Sequence, residues 1–179
     1  AGRQGGGRFN TGEFQKAAEA DVKGGGGGIT VANKATFIYA NYLESKEKTK
    51  LGLFMEVAAR AEAHQAADPK NPNAWYCQAY ALGRYGQGIS VAKALAQGLG
   101  SKVKNALEQT LKLAPKHADA HIALGSFHAE VIDKVGSLIG GMTYGAKKDS
   151  GPAHFRSAPK LNPAPPIAMT EYANGRLKL

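Results

Sequence analysis

The sequence predicts an all-α fold of paired helices, on three observations. From Thr30 onward, apolar residues recur at separations of three and four, the period of one helix face. No stretch alternates apolar and polar residues as a half-buried strand does. Similar words close three helical stretches: AADPKNPNAW at 66–75, KLAPKHADAH at 112–121 and KLNPAPPIAM at 160–169.

Taken in order, residues 1–30 carry GGG at 5–7 and GGGGG at 24–28, a composition that buries too little apolar surface to offset its ordering entropy. They are expected to form a flexible extension, with one short helix through Phe14, Ala18 and Val22 that Gly24 ends. Beyond Thr30, Ala35, Ile38, Tyr39 and Tyr42 stand at helical spacings. Thr49 is placed to cap the next helix, whose stripe of Leu53, Phe54, Val57, Ala58 and Ala61 runs to Asp68-Pro69. A third helix is expected from about Asn73 to Tyr85, with Trp75, Ala79 and Leu82 on one side. In a fourth, near 101–114, Val103, Leu107, Thr110, Leu111 and Ala114 face one way. Lys102, Lys104, Glu108 and Lys112 face the other, and Glu108 with Lys112 makes a favourable i,i+4 pair. Pro159 should end a later helix near Ala158, because it lacks the amide hydrogen and clashes one turn back.

His117, His121 and His128 would share one stripe of a helix at about 100° per residue, which raises the question of a metal site. The recurring words supply another role. In each, a proline lies six residues before the bulky side chain that opens a new helix: Trp75, His121 and Met169. This resembles the tetratricopeptide repeat, a helix–turn–helix unit of about 34 residues with a closing proline and a W-x2-L-G-x2-Y signature. With Pro115 at the closing position, Leu124-Gly125 match the signature directly, and His121 and His128 fill its aromatic sites.

The resemblance implies a right-handed array of antiparallel helix pairs over residues 31–179, in about three irregular units. It makes His121 and His128 core-facing rings packed near 101–114 or against a helix following Gly145, leaves His117 in the turn, and calls for no metal. The first unit departs from the signature, with Gln78-Ala79 in place of Leu-Gly. Pro69, Pro115 and Pro163 are 46 and 48 residues apart, 12 to 14 more than the roughly 34-residue standard unit. The surplus falls in GQGISVAKALAQGLGSK and VGSLIGGMTYGAKK, and recurrence at one place suggests an extra helical turn on one face. Such units, with WYCQAYALGRYGQGIS before a lysine-bearing helix, look like regulator of microtubule dynamics proteins and are similar to the helical-repeat partner of bacterial TRAP-type transporters.

Composition narrows the function. A single cysteine, Cys77, excludes an internal disulfide and a multi-cysteine zinc site, and is expected to be a buried thiol. No apolar stretch reaches the roughly 18 residues of a membrane span, so the chain reads as soluble. Ala1 at the start is what removal of a signal peptide would leave, and equally what trimming would leave, so periplasm and cytoplasm both stay open. Of the net charge of +9, residues 1–69 hold 9 basic and 8 acidic groups and residues 70–179 hold 14 and 6, which places +8 in the second part. Such a surface favours acidic partners. Nucleic acid is not expected, because no aromatics are interleaved with Lys or Arg on a sheet.

No glycine stretch ends in the GK[ST] of a phosphate loop, no serine sits in a nucleophile elbow, and the acids of the basic half are scattered. Neither catalytic residues nor a cofactor are therefore expected. Stacked helix pairs instead form a concave surface from the first helix of each unit. Carried onto this chain, the groove positions are Asn73, Tyr76 and Tyr80 in one unit and Asp119, Ile122 and Ser126 in the next, with Arg84 and Lys70 at the rim. Tyrosine beside arginine is enriched where interfaces concentrate binding energy. The expected function is a non-enzymatic scaffold holding an acidic or extended segment of a protein partner. The alternative, a solute-handling accessory of a bacterial transporter, requires an enclosed apolar pocket.

Overall fold

In the computed structural model, residues 26–145 are described. The helix expected through Phe14 to Val22, the stop at Pro159 and the third proline word lie outside them. The described residues form helices α1 (Gly26–Ile38), α2 (Glu47–Ala67), α3 (Pro72–Gln87), α4 (Val91–Ala96), α5 (Leu99–Leu113) and α6 (Ala118–Tyr144), with a π-helical turn at Tyr39–Leu43 and no strand. None of these helices is long and apolar enough to cross a membrane.

Helix α1 starts at Gly26, inside the glycine tract that the sequence assigns to the extension. Each glycine costs about 1 kcal/mol relative to alanine in a helix, and burial further along the helix offsets that cost. Its buried face comprises Ala32, Asn33, Thr36 and Phe37 and continues through Tyr39 and Ala40 of the π-helical turn; of the residues expected on the apolar stripe Tyr39 is buried, whereas Ile38 and Tyr42 are exposed. The stripe was misplaced because two core positions are polar. Thr36 is tolerated there because its hydroxyl donates to the Ala32 carbonyl at 2.9 Å and accepts from Arg60 Nη2 at 2.8 Å.

In α2 all five expected stripe residues are buried, but the helix begins after Lys46, so Thr49 lies within its first turn and caps nothing. The turn before it is fixed by Glu44. Its carboxylate accepts from the Lys46 amide at 2.8 Å and the Tyr39 hydroxyl at 3.2 Å, and the Lys46 amide bond chiefly holds its carboxyl below the ordinary range. Helix α3 starts where two signals coincide: Asn71 Oδ1 accepts from the Asn73 amide at 3.1 Å, and Pro72 occupies the first turn. On α5, Glu108 pairs with Lys104 at 3.4 Å, one turn back, and not with Lys112. The stretch between α3 and α5 contains the extra short helix α4, capped by Ser90 Oγ on the Lys93 amide.

Neighbour contacts give the helix directions. Gln65, near the end of α2, donates to Gln78 Oε1 at 3.0 Å, and Leu51, near its start, lies against Gly88 beyond α3, so α2 and α3 are antiparallel. So are α3 and α5: Thr110 Oγ1 meets the Pro72 carbonyl at 3.5 Å, and Leu99 lies beside Gly86. Helices α1, α3 and α6 run parallel. Along α1 and α3, Asn33 lies beside Cys77 and Phe37 packs tilted against Tyr80 at 4.4 Å; along α3 and α6, Tyr76 packs tilted against His117 at 4.8 Å and Gln87 donates to Glu130 at 2.6 Å. One hydrophobic core threads between them, from Phe37 through Val57, Cys77, Leu82 and Leu107 to Leu124.

Helix α6 is two rods. Gly136 has φ 80° and ψ 159°, backbone that only glycine adopts without strain. Phe127 and Tyr144, 17 residues apart, would be about 25 Å apart along a straight helix, yet their rings meet edge-on at 6.3 Å. The chain therefore doubles back at Gly136 and lays Tyr144 over the start of α5. There a Cβ on Gly100 would stand 2.6 Å from the tyrosine ring.

Candidate binding cleft

Helices α3 and α6, held side by side over α5, leave a cleft of about 390 Å³ between them. Its floor is Leu82 of α3 with Leu99, Val103 and Leu107 of α5. Helix α4 closes one side through Val91, Ala94 and Leu95, and Tyr144 closes the far end. Five of the six groove positions read from the sequence line it, Tyr76, Tyr80, Asp119, Ile122 and Ser126, and so does Arg84, expected at the rim. Asn73 does not, because it is spent at the start of α3, and Lys70 is an exposed turn residue outside the lining.

The polar groups sit toward the two ends. At one end are the Tyr76 hydroxyl, held un-ionised by burial that pushes its pKa well above the usual value, and the Asp119 carboxylate. At the other end Arg84 lies over the Tyr80 ring at 5.2 Å, with its Nε 3.3 Å from the tyrosine hydroxyl and its Nη1 3.2 Å from Gln87 Oε1. Glu130 and Lys134 complete that end, and the Gln87–Glu130 bond ties α3 to α6 across it. Between the ends, Ser126 Oγ is buried without a hydrogen-bond partner among the described residues. Asp119 and Lys134 are 15 residues apart on α6, which makes the cleft about 22 Å long.

Tyr80 is not an open-face residue. Besides lining the cleft it packs on Phe37, and its hydroxyl accepts from Asn41 Nδ2 at 3.0 Å, so it joins α1 to α3. Replacing Tyr80 therefore disturbs the fold as well as the cleft. Sequence reasoning missed the whole α5 floor, the α4 wall and Tyr144. The recurrence of Phe127, Val131 and Val135 at four-residue steps was the available signal for the far end of the lining.

The histidines separate. His128 is buried, 5% exposed, beside the Phe127 ring. His121 is not a core ring: it is half-buried and turned back onto the Pro115 carbonyl at 2.9 Å. His117 is the N-cap of α6, its Nδ1 accepting from the Ala120 amide at 3.1 Å. Among the described residues no three His, Cys, Asp or Glu side chains come together as a ligand set. Cys77 lies in the core, 3% exposed, its thiol pushed up to about 11 by burial. A thiol that stays protonated at neutral pH is a poor nucleophile.

No protein-family model matches the chain, and no curated protein matches it either.

Proposed function

We propose that the chain is a non-enzymatic binding module, a tetratricopeptide-like array whose α3–α6 cleft holds an extended segment of an acidic protein partner. The carrying observation is the cleft itself, which combines an apolar floor, polar ends and a length of about 22 Å, room for about six or seven extended residues. Support for the repeat comes from the parallel run of α1, α3 and α6 with α2 and α5 antiparallel to α3, the order in which stacked helix pairs present their first helices on one face. The excess of basic groups in residues 70–179 supports an acidic partner.

A second reading rests on one observation. About 390 Å³ lies within the range of small-molecule sites, and walls on several sides suit an apolar solute as well as a peptide. Ala123 lines the cleft and is half-buried, so Ala123→Phe fills it from within. Affinity capture with the full chain and native mass spectrometry of the purified protein are compared for both forms. A protein retained by the parent chain, released by salt and lost in Ala123→Phe supports the scaffold. An apolar small molecule carried by the parent chain alone, with no protein retained, replaces it with the solute reading. Neither species depending on residue 123 overturns both.

A further inference from the structure

We infer that His117 positions one wall of the cleft and makes that wall sensitive to acid, because it caps α6 only as a neutral imidazole and the same ring packs against Tyr76. Two separate contacts carry this. Nδ1 accepts from the Ala120 amide at 3.1 Å, a bond that a protonated ring cannot accept, since both its nitrogens are then donors. The same ring lies on Tyr76, a cleft residue of α3, at 4.8 Å.

Protonation puts a positive charge at the positive end of the α6 dipole and leaves the Ala120 amide without its acceptor. The groups facing the ring are Tyr76 on α3, Lys34 on α1, and Asp119 and His121 on α6. Asp119 and a hydrogen bond to the backbone of His117 itself favour the charged ring, and His121 and Lys34 oppose it. Burial is the largest influence and acts against the charge, so the balance lies on the neutral side. His121 makes a different contact: its Nε2 lies 2.9 Å from the Pro115 carbonyl, an acceptor, so the ring is the donor there.

The significance for ligand occupancy rests on the cleft being a binding site, but the coupling is measurable without ligand, so the two can fail separately. In the full chain, the His117 ring protons, the Ala120 amide and the Tyr76 ring are followed by nuclear magnetic resonance as pH falls. The expected midpoint for His117 is below the ordinary 6.5. Ala120 and Tyr76 should move with that same midpoint, and first-turn α6 amides should exchange roughly tenfold faster below it. His117→Asn, which caps without titrating, should abolish the response of both reporters. The inference is overturned if Ala120 and Tyr76 stay flat while His117 titrates, or if their response persists in His117→Asn. Should that variant not fold, the first comparison in the parent chain decides.

Discussion

The indole N–H of Trp75 donates to the backbone carbonyl of Pro69 at 2.9 Å. Six residues also separate His121 from Pro115, and His121 Nε2 lies 2.9 Å from that carbonyl. Two differently composed turns, DPKNPNAW and APKHADAH, are therefore stapled alike. The spacing of proline to bulky residue encodes a ring nitrogen reaching back over the turn, which is why His121 can stand where Trp75 does without entering the core.

Trp75→Phe keeps most of the ring contact and removes the donor. Unfolding by denaturant should show a loss of about 0.5–1.5 kcal/mol, the usual worth of one such hydrogen bond. An unchanged midpoint would mean that water satisfies the Pro69 carbonyl equally well.

Leu107, 1% exposed, lies under both the core and the cleft. Leu107→Ala should cost about 2–5 kcal/mol by lost burial plus the cavity left behind. A smaller cost in calorimetry would show that the cleft collapses to fill the space.

Gly100→Ala places a methyl where the Tyr144 ring lies and should cost about 1–3 kcal/mol. Combined with Tyr144→Ala, the costs should be clearly less than additive, because the second change removes the clash. Simple additivity would mean that the arm ending at Tyr144 does not rest on Gly100 in solution.

The folded-state value of His117 is lowered, chiefly by burial. Its contribution to stability is thus complete above 6.5, the unfolded value, and is lost as pH falls from there through the folded-state value. Denaturation midpoints measured across that interval should fall in the parent chain and fall less in His117→Asn. Parallel curves for the two would remove His117 from the account.

Cys77 of α3, with its thiol pushed up to about 11 and buried beside Asn33 of α1, should resist alkylation at pH 8 for as long as the fold stays closed. The labelling rate should rise with denaturant in step with unfolding. Rapid labelling of native protein would show that α1 opens on its own.

Much of this arrangement is legible in the sequence where the signal is local. The α2 stripe, the Asn71-Pro72 start of α3 and the α5 stripe at Val103, Leu107 and Thr110 need only a helical period and turn chemistry. The reading fails where a distant partner decides. Asn33 and Thr36 are buried because α2 and α3 close over them, so the face of α1 cannot be found from apolar spacing. Glu108 has lysines at both i−4 and i+4, and sequence alone does not choose between them. Six cleft positions follow from the α3 and α6 register, but the floor comes from a helix that the groove pattern does not mention, and Tyr144 arrives only because the chain reverses at Gly136.

That reversal hangs on one residue with no side chain. At Gly136 any replacement favours straightening α6, which would carry Tyr144 about 25 Å from Phe127. The seat over Gly100 would then be vacant in its own chain and open to the same arm of another molecule, so Gly136→Ala should favour trading arms between copies. The resulting dimer would repeat every native contact of the arm while exchanging the chain that makes it, and it should form at high concentration and separate only slowly on dilution.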